Sequence, residues 1–337
     1  MPTALVTGSA GFIGYFQCQR LLDAGWQVTG LDALTDYYDV TLKERRHAML
    51  SQNPGFQPVV ARLEDAEGLN ELIARIKPDV VIHLAAQAGV RFSIDSPRSY
   101  VDSNLIGTFN LLEAVRATPV KHCLMASTSS VYGANTKMPY SETDKVDTQM
   151  SFYAATKKAT EAMAHSYAHL YDIPVTMFRF FTVYGPWGRP DMAHFKFTRA
   201  ILNGDPIEVY NHGKMRRDFT YIDDLTDSLT RLIDAVPERP EGPETIEAGD
   251  SLSPVAPFRI VNIGNSQTVE LMDFIKAIEA AIGIKAEKIF RDMQPGDVPA
   301  TWADTTLLKR LTGATPKTPV AEGVAKFVAW YRDYYQA

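Results

Sequence analysis

The sequence predicts a doubly wound α/β fold, in which helices cover both faces of a parallel sheet, with a smaller C-terminal domain. Short apolar runs alternate with helical stretches through the first half of the chain. Each strand-to-strand connection contains a helix, which is how parallel strands are joined. A Gly-x-x-Gly-x-x-Gly motif also stands between the first strand and the first helix. At 337 residues, the chain is long enough for one large or two closely packed domains.

The predicted strands are short and buried, and the helices between them are amphipathic. We predict strands at 4–7, 27–31, 80–84, 122–126 and 175–180, with helices at 16–24 and 69–76. Further along, we predict helices at 195–202 and 271–282 and a strand at 260–263. The segment 237–257 is rich in Pro, Glu, Gly and Ser, so we expect it to run over the surface.

The two halves of the chain differ in character, and we divide them near residue 183. Residues 1–183 form the predicted first domain, to which later segments near 218–236 and 258–265 return. Residues 184–337 mainly form the second domain, which we expect to cap the carboxyl ends of the strands. In doubly wound sheets, ligands bind at that edge.

Composition argues against several classes of function. The formal net charge is −6 and no basic stripe is present, so we expect no nucleic-acid partner. Cys18 and Cys123 are too few for a disulfide framework, and Cys18 should pack inside the first helix. No group of Cys and His has metal-ligand spacing, so we expect no metal. The N-terminus does not resemble a signal peptide, and no apolar run approaches the ~18 residues of a membrane span. We therefore expect a cytoplasmic protein without a membrane partner.

The glycine motif comprises Gly8, Gly11 and Gly14 and is typical of a dinucleotide site. Glycines permit a tight turn and let backbone N–H groups approach a pyrophosphate, which the N-terminus of the following helix also attracts. Asp32 ends the second predicted strand, where a carboxylate can hold both ribose hydroxyls and repel a 2′-phosphate. The sequence therefore favours NAD over NADP. Lys43 either contacts cofactor phosphates or is simply an exposed lysine.

A further stretch, at residues 83–87, could also approach the cofactor. It follows a predicted strand and reads His-Leu-Ala-Ala-Gln. Its small side chains would let the backbone run close to a bound nucleotide. We expect His83 itself to be a structural histidine rather than a catalyst.

Tyr153 and Lys157 are four residues apart, so on a helix they share one face, with the ammonium near the phenol. A phenol titrates near ~10 in water, and a close cation together with an oxidised nicotinamide lowers that pKa. The pair then forms a base that takes a hydroxyl proton while hydride leaves the same carbon. Because the glycine motif precedes it, we interpret the pair as catalytic rather than as two exposed helix residues.

Five segments carry further motifs, at residues 36–43, 87–91, 131–135, 180–191 and 217–224. Together with the glycine motif, they resemble the extended short-chain dehydrogenase/reductase family, and within it the bacterial UDP-glucuronate 4-epimerases. The motif at 180–191, Phe-Phe-Thr-Val-Tyr-Gly-Pro-Trp-Gly-Arg-Pro-Asp, is quite specific, whereas the glycine motif is specific only to the superfamily. The resemblance implies a Rossmann domain, bound NAD, and an epimerase that interconverts UDP-glucuronic acid and UDP-galacturonic acid through a transient 4-keto sugar.

The resemblance also implies roles for individual residues. Thr128 would bond the reacting sugar oxygen, Tyr153 would be the base, and Lys157 would hold the nicotinamide ribose. The implied cofactor-binding residues are Gly8, Gly11, Phe12, Ile13, Gly14, Asp32, Lys43, Leu63, Leu84, Ala85, Ala86, Gln87, Asn104, Tyr153 and Lys157. The implied substrate-binding residues are Arg91, Ser129, Ser130, Thr182, Arg189, Tyr210, Arg217, Gln294 and Asp297.

Among the substrate residues, Ser129, Thr182 and Arg189 would hold the sugar carboxylate, because Arg offers a bidentate fork and hydroxyls add directional bonds. Arg91 is a weaker candidate for the same group. Arg217 would bind the diphosphate, and the aspartate of Pro-Gly-Asp-Val at 295–298 would bind the uridine ribose.

The chain departs from the family pattern at two positions. Gln294 stands where several relatives have an arginine. Arg62 stands where relatives often have an aspartate that accepts a bond from the adenine amine, and arginine has no acceptor. A backbone contact near Leu63 would substitute for that bond, or adenine recognition would be weaker.

Other members of the superfamily provide the alternatives. UDP-glucuronate decarboxylases usually carry a glutamate where this chain has Ser130, and dTDP-glucose 4,6-dehydratases use an Asp-Glu pair where it has Ser129-Ser130. UDP-glucose/galactose 4-epimerisation explains Arg189 less well, and carbon-5 epimerisation stays open. A non-catalytic NAD sensor is disfavoured because the Thr, Tyr and Lys are all present.

A homodimer is expected from the resemblance. Relatives commonly pair two helices, here around 101–115 and 153–171, in a four-helix bundle between subunits.

Overall fold

The computed structural model describes residues 1–294 and 297–337. Pro295 and Gly296 of the Pro-Gly-Asp-Val motif lie outside the described residues. The strands are β1 (Thr3–Thr7), β2 (Gln27–Asp32), β3 (Phe56–Val60), β4 (Val80–His83), β5 (His122–Ala126), β6 (Val175–Phe180), β7 (Thr182–Tyr184), β8 (Ile207–Val209), β9 (Arg216–Tyr221), β10 (Phe258–Ile263), β11 (Thr268–Glu270), β12 (Lys288–Phe290) and β13 (Ala300–Thr301). The α-helices are α1 (Phe12–Asp23), α2 (Val40–Leu50), α3 (Ala66–Ile76), α4 (Phe92–Asp95), α5 (Pro97–Tyr100), α6 (Gly107–Ala117), α7 (Phe152–Tyr171), α8 (Ala193–Asn203), α9 (Ile222–Leu232), α10 (Leu271–Ile282), α11 (Thr306–Thr312) and α12 (Val320–Tyr335).

The central sheet has the strand order β10-β6-β5-β4-β1-β2-β3, and every pairing in it is parallel. The order reverses between β1 and β4, which opens a crevice at the carboxyl ends of these two strands. Helices α1, α9 and α11 pack together on one side, and α3, α6 and α7 pack together on the other. The doubly wound fold predicted from the sequence is therefore confirmed.

The remaining strands form smaller sheets beside the crevice. Strand β9 pairs with β7, β11 and β13, and β8 pairs with β12. Helices α8, α10 and α12 pack beside them, joined by buried apolar residues such as Phe274 and Phe327. Because β7 follows β6 after a single residue, Phe181, the chain passes from the central sheet directly into this second layer.

The segment 237–257 runs over the surface, as predicted, with most of its residues exposed. It is anchored on α7. The guanidinium of Arg239 donates to the carbonyls of Ala168 and His169 in the last turn of that helix and pairs with Asp172. His165 lies 2.8 Å from the hydroxyl of Ser253. These contacts satisfy helix carbonyls that lack partners within the helix.

No helix within residues 1–294 and 297–337 combines the length and the apolar character that crossing a membrane requires.

Candidate active site

The glycine motif forms a turn against the backbone that follows β4. Gly8 has φ +76°, and a Cβ there would lie 2.7 Å from the backbone nitrogen of Ala85. A Cβ on Gly14 would lie 2.0 Å from the carbonyl oxygen of Gly8. Neither position has room for a side chain, so the backbone itself lines the crevice at the switch in strand order.

The N-terminus of α1 points its free N–H groups into this crevice. Gly11 precedes the helix and provides no side-chain cap, and the first turn contains no acidic residue. The positive end of the helix dipole is therefore available to an anion such as a pyrophosphate. These features fit a dinucleotide.

Asp32 is held in place at the carboxyl end of β2. Its carboxylate accepts hydrogen bonds from the backbone N–H groups of Ala10, at 3.0 Å, and Leu34, at 2.8 Å. Each carboxylate oxygen can accept a further bond, as the ribose hydroxyls of NAD require. The negative charge also disfavours a 2′-phosphate at this position.

A cavity of about 290 Å³ extends from the glycine turn. With the exception of Asn104, the predicted cofactor residues line it: Gly8, Gly11, Phe12, Ile13, Gly14, Asp32, Lys43, Leu63, Leu84, Ala85, Ala86, Gln87, Tyr153 and Lys157. The alternative that Lys43 is an exposed lysine is wrong, because the residue is only 5% exposed and its ammonium donates to the carbonyl of Thr35 at 2.6 Å. Glu64, which the sequence reasoning missed, also lines this cavity.

Asn104 does not line the cavity but contacts Gln87, which does. It lies in a π-helical turn, Val101–Ile106, and its amide exchanges two hydrogen bonds with the backbone of Gln87, at 2.8 and 3.1 Å. It also donates to the hydroxyl of Thr156 on α7. Asn104 therefore fixes the loop after β4 relative to the catalytic helix and is not placed to touch a cofactor directly.

His83 is structural, as expected. Its ring lies 2.8 Å from the hydroxyl of Thr7 and 3.1 Å from that of Thr108. Burial lowers the pKa of His83 to about 3, with Lys157 adding to the effect, so the ring stays neutral.

Lys157 is buried, with 3% of its surface exposed, yet its ammonium makes no hydrogen bond to the residues that the structure describes. Burial lowers its pKa to about 8, and the carboxylate of Glu161 partly offsets that effect. The donors of an ammonium that lines a cavity and has no partner among the described residues are available to a ligand. The ribose hydroxyls of a nicotinamide nucleotide would accept hydrogen bonds from these donors.

Tyr153 lines both this cavity and a second one of about 880 Å³. We predicted that a nearby cation together with an oxidised nicotinamide lowers the pKa of its phenol. Burial raises the pKa of Tyr153, and Thr128 and Arg189 lower it only in part. Lys157 is not among the causes of this shift, so the predicted lowering depends on a bound nicotinamide and stays a prediction.

The second cavity contains most of the predicted substrate residues. Those that line it are Arg91, Ser129, Ser130, Thr182, Arg189, Tyr210, Arg217 and Asp297, together with Thr128. Gln294 does not line it, although its carbonyl accepts a bond from the backbone of Asp297. The hydroxyls of Ser129 and Thr182 make no hydrogen bonds within the described part of the chain, so both are available to a ligand.

Arg189 lines both cavities, and its guanidinium pairs with Asp191. Nε lies 3.0 Å from Oδ1, and Nη2 lies 2.5 Å from Oδ2. Asp191 also accepts a bond from the hydroxyl of Tyr37, at 3.1 Å. Neither Asp191 nor Tyr37 was predicted as a site residue, although both lie within the quoted motifs at 36–43 and 180–191.

Arg91 contacts the other end of the second cavity. Its guanidinium lies 3.2 Å from the carboxylate of Asp297 and 5.2 Å from the centre of the Tyr210 ring. Arg217 donates to the carbonyl of Val298, at 2.7 Å. Arg91 thus contacts Asp297, which was predicted for the uridine ribose, and its weaker assignment to the sugar carboxylate stays a prediction.

A sequence-family model described as the NAD dependent epimerase/dehydratase family matches residues 4–249. The chain belongs to this family. It is 55% identical over 332 residues to a protein of Rhizobium meliloti named "Probable UDP-glucuronate 4-epimerase", across 98% of this chain and 97% of that protein. It is 44% identical to UDP-glucuronate 4-epimerase 4 of Arabidopsis thaliana, across 99% of this chain and 76% of that protein.

A solved structure of the epimerase/dehydratase family shares the whole fold. It is the UDP-glucuronic acid 4-epimerase from Bacillus cereus in complex with UDP-glucuronic acid and NAD, with a TM-score of 0.87 and 32% identity. The similarity covers 99% of this chain and 100% of that chain. The resemblance inferred from the sequence motifs is confirmed.

One further residue of this family member joins the glycine turn to the loop that contains Arg189. Arg46 is fully buried, and its guanidinium donates to the carbonyls of Ala10 in the glycine turn and of Trp187 and Gly188 beside Arg189. The sequence showed Arg45-Arg46 only as a basic pair, and nothing in it indicated burial. We refer to Arg46 as the strut arginine.

No group of three or more His, Cys, Asp or Glu side chains is arranged to hold a metal ion within residues 1–294 and 297–337.

Proposed function

We propose that this chain is an NAD-dependent epimerase that interconverts UDP-glucuronic acid and UDP-galacturonic acid at carbon 4 through a transient 4-keto sugar. One observation carries the proposal: Thr128, Tyr153 and Arg189 line both cavities, so the phenol lies where a nicotinamide and a charged sugar would meet. The glycine turn, the uncapped helix α1 and the unpartnered ammonium of Lys157 all fit NAD.

Tyr153 performs the proton transfer. NAD, when bound, supplies the hydride acceptor for the first half of the cycle and the donor for the second. Tyr153 takes the proton from the carbon-4 hydroxyl and later returns it, while Thr128 holds the same sugar oxygen by a hydrogen bond. Lys157 orients the ribose and, once NAD is bound, stabilises the phenolate together with the charged nicotinamide. The reaction causes no net redox change, so the cofactor can remain bound between turnovers.

The carboxylate of the sugar must be restrained. Its 4-keto form is a β-keto acid, which loses carbon dioxide when the bond to the carboxylate carbon aligns with the carbonyl π system. Arg189, Ser129 and Thr182 lie in the sugar cavity with donors available to hold the carboxylate out of that alignment. Ser130 replaces the glutamate of the decarboxylases, so an acidic group is missing at that position.

The nucleotide end of the sugar cavity suits a uridine diphosphate. Arg217 and Arg91 provide positive charge for the phosphates, and Asp297 provides acceptors for ribose hydroxyls. Tyr210 presents a ring beside them. We keep the division of the chain into a mainly NAD-binding part, residues 1–183, and a mainly UDP-sugar-binding part, residues 184–337.

Proton NMR of the purified protein with UDP-glucuronic acid, without added NAD, tests this proposal. Formation of UDP-galacturonic acid is the expected result and would also demonstrate a retained cofactor. UDP-xylose or its 4-keto precursor would instead indicate a decarboxylase, and UDP-iduronic acid would indicate carbon-5 chemistry. An unchanged spectrum, repeated with added NAD and with UDP-glucose, would favour another substrate or an NAD sensor.

The rate should depend on pH through Tyr153 and Lys157. Burial raises the pKa of Tyr153, so the phenolate fraction and kcat/KM should increase as the pH rises from about 6. Lys157 has a pKa of about 8, so above that pH it loses the charge that stabilises the phenolate, and the increase should level off or reverse. Initial rates at constant ionic strength measure the profile. A decline between pH 6 and 8 would contradict this assignment.

We also propose a homodimer formed through α6 and α7. Apolar side chains on the π-helical turn, α6 and α7 are exposed, among them Ile106, Phe109 at 47% and Leu170 at 63%. Burying such a patch against a second copy would remove it from water. Phe109→Asp should therefore convert the dimer to a monomer in light scattering, whereas Val60→Asp, an exposed position on edge strand β3, should not. A dimer that survives Phe109→Asp would place the interface elsewhere.

A cytoplasmic location is proposed on the state of the two cysteines. Cys18 and Cys123 are both buried and unpaired. Burial raises the pKa of Cys123 to about 12 and that of Cys18 as well, so neither thiol is reactive at neutral pH. Unpaired thiols are typical of proteins in a reducing compartment.

A further inference from the structure

The guanidinium of Arg189 is already paired with a carboxylate of the chain itself. Asp191 occupies the edge formed by Nε and Nη2, at 3.0 and 2.5 Å. Nη1, in contrast, makes no hydrogen bond to the residues described by the structure. A guanidinium presents a second bidentate edge, formed by Nη1 and Nη2. Arg189 can therefore hold Asp191 and a ligand carboxylate at the same time.

Asp191 is negatively charged in this arrangement. Burial acts to raise its pKa, but the adjacent Arg189 cation outweighs that effect and holds the pKa below its usual value. Tyr37 donates its hydroxyl to the same carboxylate, and burial and the Asp191 charge raise the pKa of Tyr37 to about 12. Tyr37 is thus a neutral donor at working pH, and Asp191 is fixed by a cation and a hydroxyl.

A sugar carboxylate bound to Arg189 would share one cation with Asp191. The Arg189–Asp191 pair is neutral overall, so the attraction for a second carboxylate is far weaker than that of a lone guanidinium. Repulsion between two carboxylates a few ångströms apart acts in the same direction. Removing the charge of Asp191 should therefore strengthen the binding of a carboxylate-bearing sugar.

Weak binding has a use in the proposed cycle, on which this inference rests. The 4-keto sugar must turn over between the two hydride transfers. Its carboxylate is restrained by Arg189, Ser129 and Thr182 before the turn, and it has to leave Arg189 while the sugar turns. A lone buried guanidinium would oppose that departure because it would be left without a partner. Asp191 keeps Arg189 paired throughout.

We propose that Asp191 is a positioning residue that weakens the hold of Arg189 on the sugar carboxylate, so that the 4-keto sugar can turn and the product can leave. Tyr37 holds Asp191 in that position. Asp191 thereby sets the balance between the affinity for a charged sugar and the rate of the catalytic cycle.

Asp191→Asn tests the proposal because it keeps the shape of the side chain and removes its charge. We expect the Kd for UDP-glucuronic acid to fall roughly 100-fold, as expected for removal of one like charge about 6 Å away at an effective dielectric of ~20. The Kd for UDP-glucose, which has no carboxylate, should change less than about twofold. The variant should also have a lower kcat, because the carboxylate is released more slowly. KM and kcat should thus fall together.

Two controls show whether the effect passes through Arg189. In the Arg189→Ala background, Asp191→Asn should tighten the binding of UDP-glucuronic acid less than it does with Arg189 present, because only the direct repulsion between the two carboxylates is then relieved. A double-mutant cycle measures the difference. Asp234→Asn removes an exposed carboxylate outside both cavities and should change neither Kd. Retained NAD in each purified variant serves as the test of folding.

Weaker or unchanged binding of UDP-glucuronic acid by Asp191→Asn would overturn the proposal, because a residue that merely supports Arg189 would lower affinity when removed. The ratio of the Kd for UDP-glucuronic acid to the Kd for UDP-glucose measures binding and not the rate of catalysis. If the unaltered protein binds UDP-glucuronic acid but does not convert it, the proposed function fails while the charge effect of Asp191 is still measured. If the unaltered protein does convert UDP-glucuronic acid, but Asp191→Asn leaves the ratio of the Kd values for UDP-glucuronic acid and UDP-glucose unchanged, only the role of Asp191 fails.

Discussion

Replacing Tyr153 with Phe is expected to lower the rate of epimerisation by about 10³-fold while NAD stays bound. The change removes one oxygen atom, the proposed base, from the junction of the two cavities. Loss of a general base typically reduces rates by about 10²–10⁴-fold. The ring of Tyr153 remains to pack against that of Tyr100, at 6.0 Å between centroids, so the site should keep its shape. Formation of UDP-galacturonic acid, followed by proton NMR, measures the loss.

Tyr167→Phe provides a matched control on the same helix. Its hydroxyl donates to Glu113 at 2.6 Å and lies outside both cavities, so activity should change little. If Tyr153→Phe retains more than about a tenth of the activity, another group must accept the proton. If both variants lose activity equally, disturbance of α7 rather than loss of a base would be the cause.

Replacing Gly14 with Ala is expected to yield protein that is purified without NAD and is inactive. The added Cβ would lie 2.0 Å from the carbonyl oxygen of Gly8 and 2.7 Å from its carbonyl carbon, where only backbone can move. The glycine turn and the N-terminus of α1 must then separate, which removes the backbone donors that a pyrophosphate requires. Cofactor content after denaturation of the purified protein measures the effect.

Gly25→Ala separates this steric effect from loss of glycine flexibility. Gly25 has φ +81°, but its added Cβ meets nothing within 4 Å. The substitution should cost about 1 kcal/mol of stability through backbone strain alone and leave NAD bound. Stoichiometric NAD in Gly14→Ala would show that the turn can adapt and that it does not hold the pyrophosphate.

The regular elements of the central sheet were largely predictable because their apolar runs are continuous. The predicted bounds of β5, β6 and α10 agree with the structure. Strand β3 was missed because it is an edge strand, with several exposed residues and Pro58 in its middle. Proline is tolerated at a sheet edge, where one row of backbone N–H donors has no partner strand. In a sequence, however, proline argues against a strand, so β3 was not recognised.

The candidate site was predictable where neighbours in sequence are also neighbours in space. Tyr153 and Lys157 share one helix, and the glycines share one turn. Partners that are distant in sequence leave no such signal. The bond between Tyr37 and Asp191 joins residues 154 positions apart, and that between Arg46 and Trp187 joins residues 141 positions apart. For the same reason, the sequence could not show that Arg189 is already paired.

The strut arginine limits how this site can be re-engineered. Arg46 bonds both the glycine turn and the loop that contains Arg189, so the backbone of that loop is fitted to a side chain from a different part of the chain. A chimera that receives only residues 185–191 from a relative with another sugar preference would leave a buried guanidinium facing carbonyls that had moved. Transplanting substrate preference therefore requires exchange of the loop together with position 46 and the helix that holds it.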